Sequence, residues 1–271
     1  MPGRSGAVRP SRKRSAFARI GSMCARVIQA RDPTLYASLV AAAPGRPLPN
    51  APARYNGAPS QDFLVGRREP RSGERSLDLL RWGLIPVWAK DKTIAWKTIN
   101  ARAETLATSA LFKGAYAKRR CLVPVDGFYE WRTVGKLKQP YLFAPANDEP
   151  FTLAGLWESW KDPATGEWLR TFTIVTTRAN AIVSPLHDRM PVIIAAADRD
   201  RWLDDPEPGD LLAPYPAELM RRRPVSREVN SVKNEGSHLP EETADPSGSL
   251  DPDDVATANS PDALESPANS D

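Results

Sequence analysis

Between residues 77 and 195, apolar positions recur in short runs separated by turn residues. Leu77–Leu84, Cys121–Asp126, Tyr129–Thr133, Pro140–Ala144, Phe151–Trp157, Trp168–Thr176 and Pro191–Ala195 are rich in Val, Ile, Phe, Trp and Thr, and predict strands. Asp148-Glu149-Pro150 and the stretch from Asp162 to Gly166 are natural hairpin connections. Helical spacing is rarer. Pro33–Ala42 predicts a short helix, and Glu104–Ala117 carries Ala107, Leu111 and Ala115 on one helical face. Arg178–Val183, Asp198–Leu203 and Ala217–Arg222 predict shorter helices. Strands follow one another without regular helical crossovers. The expected fold is α+β: a mixed, mainly antiparallel β-sheet or barrel-like body with peripheral helices.

Both ends break this pattern. Residues 1–22 hold six basic residues and no acid, and are Arg-, Ser- and Gly-rich. Residues 240–271 hold nine acids and no Lys or Arg, with much Pro, Ser and Asn. Neither carries enough large apolar side chains to bury a core, so both are expected to be disordered, leaving 23–239 as the folded domain. Removing both ends leaves 31 basic against 24 acidic residues, a net +7 where the whole chain is +4. A basic body with an acidic tail suits a polyanionic partner.

Composition excludes other classes. No run of eighteen apolar residues is long enough to span a membrane, and the N-terminus lacks the apolar stretch of a secretory signal. Two cysteines, Cys24 and Cys121, make no disulfide framework, and no Cys/His cluster has zinc spacing. No glycine-rich phosphate loop is present, so no metal or cofactor is expected. A cytoplasmic monomer with free thiols is the expectation.

Four segments set polar groups in apolar or tight surroundings: Met23-Cys24-Ala25-Arg26, Thr98 to Glu104, Asp126 to Trp131, and Leu186 to Pro191. With Arg54-Tyr55-Asn56-Gly57-Ala58-Pro59-Ser60-Gln61, Arg81-Trp82-Gly83-Leu84-Ile85-Pro86 and Arg119-Arg120-Cys121-Leu122-Val123-Pro124, they form an ordered series of motifs. Through that series, over about residues 23–235, the chain resembles the SRAP domain family, the abasic-site processing proteins of bacteria and eukaryotes, which have also carried peptidase assignments.

The chemistry centres on Cys24. If Met23 is removed as an initiator, Cys24 carries a thiol and an α-amine on adjacent carbons. That amine has a pKa of about 7.7–8.0 and is substantially neutral near neutral pH. Such an aminothiol condenses with an aldehyde, and an abasic site in its open form offers one. The resemblance therefore implies a thiazolidine cross-link to abasic sites in single-stranded DNA. This chain departs from the family pattern Cys-Gly-Arg with Cys24-Ala25-Arg26, and 22 residues precede Met23. The preferred account is that translation starts at Met23. Processing of residues 1–23, or a member inactive in cross-linking, are the alternatives.

Glu130 lies between Tyr129 and Trp131, and a carboxylate against aromatic surface tends to be held protonated, which suits proton shuttling. The resemblance implies that it assists imine formation and ring closure. His187 is one of two histidines and a natural acid or base for opening the sugar ring. Asn100 and Arg102 point the same way if their segment is extended. By resemblance Asn100 positions the Cys24 amine and Arg102 grips a phosphate. Asn56, Pro59, Trp82 and Trp88 are candidate DNA contacts, with Trp82 equally placed as core. Arg26, Arg81, Arg189 and Lys97 are candidate phosphate contacts. Thr176 and Thr177 end a strand near the site, and Asn230 and Asn234 fit a C-terminal element. Two other functions fit the same residues: a cysteine peptidase built on Cys24, Glu130 and His187, which includes cleavage of its own N-terminus, and a non-enzymatic single-strand binding module.

Overall fold

The structure is a computed structural model that describes residues 25–245. Cys24, the expected N-terminal extension and residues 246–271 lie outside the described residues. Five strands close on themselves: β3 (Asp62–Arg68), β4 (Arg75–Trp82), β6 (Arg120–Val125), β9 (Phe151–Lys161) and β10 (Trp168–Arg178). Neighbours run antiparallel around the ring, except where β10 meets β4 in parallel and completes it. Two short strands, β5 (Asn100–Arg102) and β11 (Arg189–Pro191), extend β10 beyond the barrel.

A second sheet of five strands packs against the barrel. It comprises β1 (Val27–Gln29), β2 (Arg54–Gly57), β7 (Gly127–Val134), β8 (Leu137–Pro145) and β12 (Met220–Pro224), in the order β12-β8-β7-β1-β2. Helices α1 (Pro33–Leu39), α2 (Lys113–Lys118) and α3 (Arg199–Asp204) lie outside. The expected mixed, mainly antiparallel, barrel-like body is thus the observed one.

The two-residue period of the strands divides the core. Phe63, Val65, Leu80, Trp82, Cys121, Val123, Leu153, Phe172 and Ile174 belong to one cluster, which also takes Val27, Phe128 and Phe143 from the second sheet. The alternate positions Leu64, Leu77, Leu122, Ala154, Leu156 and Val175 form another, covered by Tyr36, Ala115 and Trp202 of the helices. Strands buried on both faces read as continuous apolar runs, which is why β6 and β9 stand out in the sequence. Gly155 is required at its position: a Cβ there would lie 2.8 Å from the Cys121 Sγ and 3.1 Å from the Thr173 carbonyl oxygen. The helix α1 is fixed by Tyr36, whose hydroxyl donates to the Asp126 carboxylate at 2.8 Å.

Several expected elements differ. Glu104–Ala117 is not one helix: a 3-10 turn spans Ala103–Thr105, and helix begins only at Lys113. Its apolar residues Leu106 and Phe112 are buried in the outer cluster from turns, and Ala115 from the short helix α2. Arg178–Val183 continues β10 into turns, and Ala217–Arg222 splits into a 3-10 turn and β12. Of Pro191–Ala195 only the first residue is in strand, in β11. The ordered body also runs past residue 239: Leu239 is fully buried, and Glu242 bridges to Val225.

Candidate functional site

The described chain begins at Ala25, the residue bonded to Cys24, on the way into β1. There β1 pairs antiparallel with β7, Val27 opposite Phe128 and Ile28 opposite Gly127, and the Tyr129 amide donates to the Arg26 carbonyl at 3.0 Å. Carried back two residues, this register sets Ala25 beside Glu130. On the other side of β7, Glu130 faces Tyr141 and Arg132 faces Gln139. Alternation puts Phe128, Glu130 and Arg132 on one face, with Tyr141, Phe143 and Arg222 from the neighbouring strands. That face is turned to the barrel, because Phe128, Tyr141 and Phe143 belong to the inner core cluster. Glu130 is 3% exposed, at the edge of this packing.

The same cluster takes Ile99, Met190 and, less buried, Ala25 and Leu186. Direct neighbours in sequence of Cys24, Asn100 and His187 therefore join one apolar body, along with Phe128, two residues from Glu130. In β5, which runs parallel to β10, Asn100 pairs with Ile174 and Arg102 with Thr176. Ala101 between them is fully buried while Asn100 is half-buried and Arg102 exposed, the alternation of an extended segment. Arg102 Nε stands 3.9 Å from Glu104 Oε2, and both side chains are about half exposed or more, so this pair holds the guanidinium weakly.

His187 follows a turn in which its amide donates to the Val183 carbonyl at 3.1 Å. Its Nδ1 lies 3.0 Å from the Arg189 amide and 2.9 Å from Asp188 Oδ1. One nitrogen cannot serve both at once. Accepting from the amide requires a bare Nδ1 and puts the neutral ring's proton on Nε2, whereas pairing with Asp188 requires Nδ1–H. The amide bond defines the neutral state, because Asp188 is 84% exposed and holds little.

Other candidates turn inward. Asn56 is fully buried. Its Oδ1 accepts from Arg26 Nη1 at 2.6 Å, and its Nδ2 donates to the carbonyls of Ser231 and Asn234 at 2.9 and 3.0 Å. Arg26 also donates to the Val229 carbonyl at 2.7 Å and lies 5.5 Å from the centre of the Trp131 ring. Burial lowers the Arg26 guanidinium to about 10, against partial compensation from Tyr129 and Glu235. Trp131 donates to Asn230 Oδ1 at 2.7 Å. Arg26, Asn56, Asn230 and Asn234, expected among the DNA contacts and the C-terminal element, thus fasten the C-terminal segment to the second sheet.

Arg189, 5% exposed, grips both oxygens of Glu104 and donates to the Thr176 carbonyl at 2.7 Å. It organises β5, β10 and β11 from a buried position. Trp82, 1% exposed, lies inside the barrel, stacked on Phe172 at 6.1 Å, with its indole N–H bonded to the Ile99 carbonyl at 2.8 Å. Of the two readings for Trp82, the core one describes its position. Thr176 and Thr177 are buried in β10. Pro59 is half-buried, and Arg81, Trp88 and Lys97 are exposed.

Sequence reasoning missed other groups. Arg132 and Arg222 flank Glu130 and Tyr141 on one face; the alternation Glu130-x-Arg132 was readable, but Arg222 reaches the face only through the β8–β12 pairing. Two grooves of 600 and 250 Å³ adjoin at Arg81 and Leu169. The first also holds Trp168 and Arg170, the second Lys92 and Trp96. Neither contains Glu130, Asn100 or His187. Exposed indoles beside cations are a surface for stacking bases and holding phosphates. Among the described residues, no helix is long and apolar enough to cross a membrane.

Residues 23–232 match the family model of SRAP, the SOS response associated peptidase. The chain is 42% identical over 191 residues to the abasic site processing protein YoqW of Bacillus subtilis, covering 68% of this chain and 84% of that one. It is 31% identical over 226 residues to the abasic site processing protein YedK of Escherichia coli, covering 80% and 98%. A solved structure of a Bordetella bronchiseptica protein superposes with a TM-score of 0.65 at 28% identity, covering 75% of this chain and all of that one. The family match over most of the chain and the identity to its relatives show that the chain belongs to the SRAP family.

Proposed function

We propose that this protein processes abasic sites in single-stranded DNA by capping them covalently through Cys24, once Cys24 is the N-terminal residue. The amine adds to the C1′ aldehyde of the open sugar and loses water to give an imine. The thiol then adds to the imine carbon, closing a thiazolidine in which the nitrogen takes up a proton. Aldehyde and aminothiol thus yield ring and one water.

Within this reading Glu130 delivers and removes protons during dehydration and ring closure. Asn100 orients the amine, His187 serves ring opening of the sugar as acid or base, and Arg102 and Arg81 hold phosphates. Arg26, Asn56, Trp82 and Arg189 support these groups from behind. The observation that carries the reading is the β1–β7 register: the residue bonded to Cys24 runs beside a carboxyl group buried at the edge of the core. The names of the relatives support the abasic-site substrate.

The test is an intact mass followed by reaction with single-stranded DNA carrying one abasic site. A chain starting at Cys24 should give a heat-stable shifted band on a denaturing gel. Cys24→Ala should lose the band and keep reversible DNA binding, as should acetylation of the α-amine. A chain starting at Cys24 that gives no band overturns the proposal. Turnover of peptides with the amine blocked would favour the peptidase reading instead.

A further inference from the structure

The two grooves that meet at Arg81 and Leu169 contain none of Glu130, Asn100 and His187, yet one strand ties them to that site. Along β10, Ile174 pairs with Asn100, Phe172 with Trp82 and Thr171 with Arg81, and the strand begins at Trp168. Six residues of extended chain separate Trp168 from Ile174, a distance of about 20 Å. The smaller groove is lined by Ser60, which follows Pro59 in the chain, and by Lys92 of the 3-10 helix Lys92–Lys97 that leads toward β5. The larger continues it past Arg81 to Arg170 and Trp168 at the start of β10.

The lining has a definite chemistry. Trp168 is 67% exposed, more than any other large apolar side chain among the described residues. Single exposed apolar side chains are ordinary. This one lines a groove of 600 Å³, within the range that encloses a small organic ligand, and has cations on both sides. Across the strand pair, the Lys161 ammonium lies 5.9 Å from the centre of its ring. Arg81, Arg170 and Lys92 are exposed, and among the described residues none of them forms an ion pair or a side-chain hydrogen bond. The one carboxylate in either lining, Asp62, stands across from Arg81 and leaves the cations in excess. A flat ring set among unpaired cations complements a chain in which bases alternate with phosphates. A duplex keeps its base faces in its own stack, whereas an unpaired strand offers them to an indole.

We propose that the two grooves form one track that binds undamaged nucleotides of the single strand on one side of the abasic site, with Trp168 stacking on an unpaired base and Arg170, Arg81 and Lys92 holding phosphates. This deepens the proposed function and rests on its single-stranded substrate. The track lengthens the footprint beyond the lesion, and capping at the lesion then draws on affinity supplied about 20 Å away.

The first test measures reversible binding of the full chain to an undamaged oligothymidylate of about 15 nucleotides, near the upper end of single-strand site sizes. Trp168→Ala should weaken binding about tenfold, and Trp168→Phe, which keeps a ring, should restore most of it. Arg170→Ala should reduce the magnitude of the log–log salt slope by about 0.7. Unchanged affinity in Trp168→Ala, or equal losses in the Ala and Phe variants, overturns the stacking track and leaves the proposed function standing. A native chain that binds no single strand defeats both. The second test places the abasic site near the 5′ end or near the 3′ end of the oligomer. At limiting protein the native chain should cap one of them several-fold faster, and Trp168→Ala should level the two. Equal native rates overturn the one-sided track. A change in sedimentation of the DNA-free protein on Trp168→Ala would assign the groove to contact between copies and overturn the proposal.

Discussion

Glu104 is held by both terminal nitrogens of Arg189, and one of these also donates to the backbone carbonyl of Thr176 at 2.7 Å. The bond from Arg189 holds the Glu104 carboxyl below the usual carboxylate range. Its charged form is therefore favoured by folding. The stability this contributes is complete above the unfolded pKa of about 4.3 and is lost as pH falls through the lower folded value. Glu104→Gln should leave a shallower loss of stability with acid, and at pH 7 cost about 2 kcal/mol, because the buried guanidinium loses its charged partner and keeps its contacts with Thr176. Urea unfolding at pH 7 and pH 4 measures both. An unchanged acid slope would contradict the pairing.

Trp82 fills the barrel between Phe63 and Phe172. Trp82→Ala should cost about 3–5 kcal/mol of stability. Trp82→Phe keeps most of the volume and should cost far less, with the affinity for single-stranded DNA unchanged. A large loss of affinity in a folded Trp82→Phe protein would show that the indole contacts a base.

Asn56 joins Arg26 to three carbonyls of the segment that follows Ser226. Asn56→Ala leaves those buried groups unsatisfied and should destabilise the fold by about 2–4 kcal/mol. Hydrogen exchange should rise most across residues 226–239, ahead of the barrel strands. Uniform acceleration everywhere would mean that the segment is not a separately loosened unit.

Arg102 is exposed and Arg189 is not, although both belong to motifs that suggest phosphate contact. Arg102→Ala should change stability by no more than about 0.5 kcal/mol. It should weaken single-strand binding and reduce the magnitude of the log–log salt slope by about 0.7, the share of one phosphate contact. A folded variant with an unaltered slope would remove Arg102 from the interface.

Burial pushes the Cys121 thiol far up, with its sulfur packed toward Gly155 inside the barrel. In the native protein, iodoacetamide should leave Cys121 unmodified, and denaturant should expose it. Rapid native alkylation at Cys121 would contradict the closed barrel.

The order of motifs and the basic body between unlike ends were legible in the residues. So were the long strands β6, β9 and β10, because a strand buried on both faces must be apolar along its length. Short elements were not. The three residues of β5 become a strand through pairing with β10, and Glu104–Ala117 carries helical spacing that the barrel wall buries through turns instead. The role of each arginine was decided by tertiary structure alone. Arg26, Arg102, Arg132, Arg189 and Arg222 are alike in sequence, but what each guanidinium meets lies up to 203 residues away in the chain. A cation that finds a carboxylate or carbonyl in the interior becomes scaffold, and one left at the surface stays available to phosphate, because a buried charge is tolerated only where it is paired.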